Sequence, residues 1–206
     1  MWHKLLQSVL ALRPVAYDGT FFREEWFRGW EELRHVLEQL VRESGHWRRI
    51  LDFGCGPGVM IDHMNERGFD YIGCDYSESA HRLYLSQFGM YPQRYVSQLS
   101  AVNMADFDVL LSFDVFEHMA DDEIAKILEA SKPVPELFLN ISRDWRTPGH
   151  INIRSDRAWT AFFKRQGFHL REELTTRLRE RYRDLRPGCQ DRWDRNMFVL
   201  SRGRVA

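Results

Sequence analysis

Apolar positions change period several times along the chain. Phe22, Trp26, Trp30, Leu33, Leu37 and Leu40 recur at steps of three and four, which predicts an apolar stripe on a helix ending near Ser44-Gly45. Ile50 to Phe53 then forms a short apolar run, Met60 to Arg67 returns to helical spacing, "YIGCD" reads as a strand and "SESAHRLYLSQF" as a helix. The alternation continues through "QRYVS", "FDVLLSFD", the helix "DDEIAKILEAS", the strand "ELFLNIS" and the helix "SDRAWTAFFKRQGF". "HLREELTT" and a last strand, "NMFVLSR", complete the pattern, and Pro133 and Pro135 stop a helix before Glu136. Strands alternating with helices predict a parallel sheet covered on both faces. Residues 177–195, between the last two strands, show no clear period and read as an insertion where ligand specificity could sit.

With 206 residues, 44% hydrophobic and 14% aromatic, the chain has apolar material for one sizeable core. The expectation is a single domain over 1–206: an N-terminal helical cap (1–45), a core (46–170) and C-terminal strands with the arginine-rich insertion (171–206). The formal charge of -1 hides ten arginines against six acidic residues from Arg171 onward. A near-neutral total disfavours broad nucleic-acid binding. Cys55, Cys74 and Cys189 show neither paired spacing nor a CxxC pair, which points to a reducing, cytoplasmic setting without disulfides. The opening "MWHKLLQSVLALRP" is too short and interrupted for a transmembrane segment and reads as an amphipathic docking helix, with peripheral membrane contact as the minor option.

The stretch from Ile50 to Ser77 is strand, glycine loop, helix, strand and acidic tip. Gly54, Gly56 and Gly58 allow a sharp turn and close approach of backbone amides to a ligand. A dinucleotide fingerprint needs its third small residue at position 59, where Val59 stands, so the spacing argues against NAD. Asp75, 21 residues after Gly54, ends the second strand, where a carboxylate can accept from both hydroxyls of a ribose. The alternative for Asp75 is a cap on the following helix.

Together "LDFGCGPG", "GCDYS", "FDVLLSFDVFEHM" and "GHINIRS…FFKRQGF" resemble the class I S-adenosylmethionine-dependent methyltransferases over residues 17–168. The resemblance implies a Rossmann-like three-layer α/β/α sandwich whose seven-stranded sheet is mostly parallel, with the last strand antiparallel. It implies S-adenosylmethionine as cofactor, with Asp52, Gly54, Cys55, Gly56 and Gly58 around the methionine part and Asp75 on the ribose. Tyr76 would pack on the adenine, Tyr17 close over the methionine end, and Phe113 line the site. Where many members carry an aspartate after the third strand, this chain has Ser97-Gln98-Leu99, which leaves Gln98 to meet the adenine amine. The thiols of Cys55 and Cys74 themselves read as small fillers.

Methyl transfer from a sulfonium needs the acceptor placed in line and, for a hydroxyl, its proton removed. "FDVFEHM" offers Asp114, Glu117 and His118, and His150 in "PGHINIRS" can approach from the neighbouring loop. His118 or His150 acting as a base with a pKa near neutrality, beside Asp114, is the favoured reading. A divalent ion held by Asp114, Glu117, His118 and His150, as in metal-dependent O-methyltransferases, is a second reading and is not favoured. The third makes Glu117 and His118 a helix start and a packing residue. Trp145, Trp159 and Phe162 read as core.

The expected partner is a small hydroxyl-bearing acceptor such as a sugar or sugar nucleotide. The seven arginines of 177–195, with Tyr182 and Trp193 interleaved, would suit a phosphorylated one unless they are spent on surface ion pairs. RNA 2'-O-methylation and a non-catalytic cofactor-binding partner are the alternatives.

Overall fold

The computed structural model describes residues 24–189 and 193–203. Tyr17, Phe22 and the N-terminal docking helix lie outside them, and so does the side chain of Trp26. Seven strands form one sheet: β1 (Arg49–Phe53), β2 (Asp70–Cys74), β3 (Tyr95–Val96), β4 (Val109–Phe113), β5 (Glu136–Asn140), β6 (Phe168–Leu170) and β7 (Met197–Arg202). Their spatial order is β3-β2-β1-β4-β5-β7-β6. All pairings are parallel except those of β7, which runs antiparallel to both β5 and β6.

Every residue of β4 and β5 is buried, because both faces of these central strands are covered. On one face lie α1 (Glu24–Ser44), α2 (Val59–Glu66), α3 (Glu78–Gln87) and α6 (Glu172–Leu185), which contribute Leu37, Leu40, Ile61, Tyr84, Leu174 and Leu178 to one apolar cluster. On the other face α4 (Asp121–Ala130) and α5 (Asp156–Arg165) contribute Ile124, Leu128, Trp159, Phe162 and Phe163. The expected three-layer arrangement, with its antiparallel last strand, is therefore present. No helix among the described residues is long and apolar enough to cross a membrane.

Two expectations need correction. Most of "HLREELTT" is not strand, and residues 177–185 do not belong to an aperiodic insertion, because β6 stops at Leu170 and residues 172–185 form the helix α6. Its stripe is Leu174, Leu178 and Tyr182 at steps of four, with Leu185 partly buried beside it. The arginines hold neighbouring elements: Arg177 and Arg181 face Glu43, Arg183 faces Asp194, and Arg179 reaches Asp156 and donates to the carbonyl of Met197 at 2.7 Å. Trp145 is the second: it lies on a turn, 46% exposed, whereas Trp159 and Phe162 are core as expected.

The cap helix meets α2 through charge as well as apolar surface. Glu38 accepts from Arg42 (2.9 Å), from Arg67 (2.8 Å) and from buried His63 (3.0 Å), and the ring of His35 stands edge-on to His63 at 4.8 Å. Burial, then the charge of Arg67, pushes His63 down to about 4 against the pull of Glu38. The unfolded chain protonates this histidine near 6.5 and the folded one near 4, so the unfolded state binds more protons between those values. Stability owed to His63 is complete above pH 6.5 and is lost as the pH falls toward 4. Urea denaturation of wild type and His63→Asn should show their stability gap closing over that window; a constant or widening gap would contradict the assignment.

Candidate active site

Parallel strands release their following loops at one end of the sheet, so β1, β2 and β4 present residues 54–58, 75–77 and 114–118 to a common edge. There a cavity of about 660 Å³ opens, with Asp52, Gly54, Gly56, Asp75 and Tyr76 at one part of its wall and Phe113, Asp114 and His118 at another. The chain makes the first part by backbone geometry. The amides of Gly54 and Cys55 donate to the carbonyl of Cys74, at 2.8 and 3.3 Å, which folds the loop over the end of β2. Gly54 sits at φ +77, and a Cβ there would collide with Cγ2 of Val115.

Asp75 ties this loop down. Its Oδ2 accepts from the amide of Gly56 at 2.9 Å and its Oδ1 from the amide of Ser77 at 2.8 Å. The helix-cap role belongs to Ser77, whose hydroxyl accepts from the amide of Ala80 at 3.2 Å. Burial raises the carboxyl of Asp75 against the pull of those two amides. Each oxygen keeps acceptor capacity toward the cavity. Asp52, beneath the loop, accepts from the hydroxyl of Tyr71 at 2.8 Å, and burial pushes it up to about 7. Cys55 and Cys74 line the cavity, and burial raises both thiols, Cys74 to about 12, which leaves them unreactive.

Tyr76 is 72% exposed and offers its ring beside Leu99, Met119 and Ile127, apolar cavity residues that sequence reasoning missed. Ile127 stands 51 positions after Tyr76, and nothing in the sequence linked the two. Gln98 lines the cavity too, its side-chain oxygen accepting from Ser100 at 3.3 Å. Trp30 of α1 reaches the cavity and meets Trp193 edge-on at 5.6 Å, and Trp193 packs on Phe113 at 5.5 Å while donating to Asp114 at 3.4 Å.

Asp114 has a left-handed backbone, φ 54, a conformation open to Asp at some cost. The turn 116–118 follows. Nδ1 of His118 lies 3.0 Å from the carbonyl of Gly149 and Nδ1 of His150 lies 2.7 Å from that of Asp144. A carbonyl can only accept, so both rings carry their proton on Nδ1 and a lone pair on Nε2. The rings meet edge-on at 4.6 Å. Burial, with His150 alongside, pushes His118 down to about 4, and burial also lowers His150. This differs from the near-neutral value expected of a base. His118 faces the cavity, whereas His150 and Glu117 are buried and are not part of its wall.

Among the described residues two clusters bring ligand atoms within 4.8 Å of one another: Glu117, His118 and His150, and His35, Glu38 and His63. Arg42 and Arg67 already neutralise Glu38, which makes the second a charge-paired helix contact. The first fits a catalytic ion poorly. Oε1 of Glu117 accepts the amide of Ser142 while its Oε2 is buried without a hydrogen-bond partner, and only Asp114 and His118 of the four expected ligands line the cavity.

Residues 22–133 match the model of a methyltransferase domain. The chain belongs to the class I S-adenosylmethionine-dependent methyltransferases. Ubiquinone biosynthesis O-methyltransferases are similar to it: that of Hahella chejuensis is 31% identical over 101 residues (45% of this chain, 42% of the relative). That of Stutzerimonas stutzeri is 31% identical over 130 residues (57% and 55%). The chain thus spans about half the length of the curated relatives it matches. Its fold is similar to magnesium protoporphyrin IX methyltransferase from Synechocystis PCC 6803, solved with bound SAH (TM-score 0.57, 14% identity, 85% and 84% covered). It is similar also to an amino pentose methyltransferase from Micromonospora echinaspora with bound SAM (TM-score 0.57, 15% identity, 87% and 96% covered).

Gly54→Ala should cost about 2–4 kcal/mol, combining left-handed strain of about 1–2 kcal/mol with the collision on Val115. In Gly54→Ala/Val115→Ala, urea denaturation should recover part of the collision cost and none of the strain. Full recovery would show that φ at Gly54 carries no penalty.

Proposed function

We propose that this chain transfers the methyl group of S-adenosylmethionine to a hydroxyl oxygen of a small, flat, phenol-like acceptor. The observation that carries this reading is one cavity walled by the Gly54 to Gly58 loop and Asp75 on one side and by Asp114 and His118 on the other. The bound cofactor would supply an electrophilic methyl on a sulfonium, which becomes a neutral thioether when the methyl leaves. In this reading the amides of residues 54–58 approach the methionine part, Asp75 accepts from the ribose, and Tyr76 and Gln98 border the adenine. Asp52, the backbone of Cys55 and Phe113 line the same binding site. Tyr17 is proposed to close over the methionine end on the family resemblance alone.

His118 is the proposed base, its Nε2 lone pair receiving the acceptor's proton as the oxygen–carbon bond forms. Asp114 would orient the acceptor or the resulting imidazolium, and His150 holds the ring of His118 in place by edge contact. A base this weak suits a hydroxyl that is itself acidic, such as a phenol with a pKa of about 10, better than a sugar hydroxyl. Trp30, Phe113 and Met119 give the wall an apolar, flat character that points the same way. The names of the ubiquinone relatives, O-methyltransferases, agree with transfer to oxygen. A phosphate on the acceptor has less support, because the described arginines of α6 are engaged elsewhere.

Three measurements test the proposal. S-adenosylmethionine and its demethylated product should raise the melting temperature while NAD does not, with stabilisation of about 2.7 kcal/mol at 100 times Kd. Asp75→Ala should weaken that binding by roughly 1.5–3 kcal/mol, and unchanged affinity would remove Asp75 from the cofactor site. With an acceptor found by mass spectrometry of extract incubated with labelled methyl donor, His118→Ala should lower kcat about 100-fold while cofactor Kd holds. A fully active His118→Ala variant would leave methyl transfer to placement alone.

A further inference from the structure

Trp193 is not part of the cavity wall but stands behind it. The residue is buried, and three residues that do line the cavity meet its indole. Trp30 of α1 stands edge-on with ring centroids 5.6 Å apart, Phe113 of β4 packs at 5.5 Å, and Oδ2 of Asp114 accepts from the indole N–H at 3.4 Å. One side chain thus joins the cap helix to the end of β4 and the loop that follows it.

The chain holds this indole from its other sides. The carbonyl of Trp193 accepts from the side-chain amide of Asn140, at the end of β5, at 2.9 Å. The carbonyl of Arg195 accepts from Arg143 and that of Met197 from Arg179, both at 2.7 Å, and the ring of Tyr182 in α6 lies 5.9 Å from the indole. A single tight turn closes few hydrogen bonds of its own, so donors from other elements decide where its side chains stand. What they place is the large buried side chain of the turn, Trp193.

Tryptophan offers a flat face for other rings and an N–H that, once buried, needs an acceptor. Both are used here toward the cavity. Asp114 has a left-handed backbone, φ 54, which the surroundings must hold in place, and Trp30 is only partly buried at the end of a helical side chain's reach. We propose that Trp193 is a positioning residue for the acceptor, aiming Asp114 through its N–H and steadying Trp30 through its ring, so that Trp30 and Phe113 form the wall against which an aromatic acceptor packs. That the packed molecule is a methyl acceptor rests on the methyl-transfer reading; the packing of a flat ring against Trp30 does not. None of these contacts involves residues 54–58 or Asp75, so the loss of Trp193 acts on the acceptor and spares the cofactor.

Fluorine NMR of the full chain labelled with 5-fluorotryptophan tests this, with phenol as the probe and glucose as its non-aromatic counterpart. The Trp30 signal is identified by its loss in Trp30→Phe. With the demethylated cofactor product present, phenol should shift that signal in wild type, and glucose at equal concentration should not. Trp193→Phe keeps a ring and removes the N–H, whereas Trp193→Leu removes both. The phenol Kd should rise about threefold in the first and about tenfold in the second, while the Kd for S-adenosylmethionine stays within about twofold. With a turned-over acceptor in hand, Trp193→Leu should lower kcat/KM for it about tenfold at unchanged KM for S-adenosylmethionine. A Trp30 signal that phenol leaves unmoved overturns the proposal, and so does a loss of cofactor affinity as large as the loss of phenol affinity. Where neither Trp193 variant folds, Trp30→Leu, at a partly buried position, decides: its phenol Kd by calorimetry should rise about fivefold, and an unchanged value overturns the wall. If neither sulfur ligand binds wild type while phenol still shifts Trp30, the methyl-transfer reading fails and the aromatic wall stands.

Discussion

The two oxygens of Asp75 accept from two backbone amides, Gly56 ahead of α2 and Ser77 ahead of α3. The loops above β1 and β2 are therefore tied to one carboxylate at the carboxyl edge of the sheet. Several features rest on that tie: the amides of Gly54 and Cys55 turned onto Cys74, the left-handed glycines packed under Val115 and Tyr84, and the Asp52 carboxyl beneath them. The interaction is strong because an anion accepts from neutral donors in a place with little competing water. An acid that organises its own loop has the geometry of this edge set during folding.

The part of the cavity wall beside β4 is organised by backbone groups as well. There two acids, Asp114 and Glu117, stand together with two histidines that are neutral because they are buried. Charge is scarce at this end, and geometry takes its place: carbonyls of Gly149 and Asp144 select the ring tautomers, and amides of Ser142, Ile151 and Asn152 converge on Glu117.

Much of this was legible in the sequence where it depends on local pattern. The glycine spacing, the acidic end of β2 and the alternation of elements each arise from neighbours within a few residues, whereas the antiparallel last strand followed only from the family resemblance. What escaped depends on distant contacts. The arginines of α6 hid a regular Leu174, Leu178, Tyr182 stripe, and their acidic partners Glu43 and Asp156 lie far away in the chain. The hydrogen bonds of Glu117 reach amides 25 to 35 positions later, which carry no side-chain signature. Trp145 shows the reverse error, an apolar residue read as core that the turn before Gly149 leaves in the open.

The strand order has a consequence for the growing chain. β7 is inserted between β5 and β6, so β6 has no neighbour in the sheet until the last strand has been made. A ribosome-bound chain that ends before Met197 can complete the half of the sheet that holds the glycine loop, but exposes one edge of β5 as an open template. Trp193, beside Asp114, is delivered on the approach to β7. The loops above β1 and β2 are thus able to form early during synthesis, whereas the wall beside Asp114 is completed only once residues 193–202 have been made.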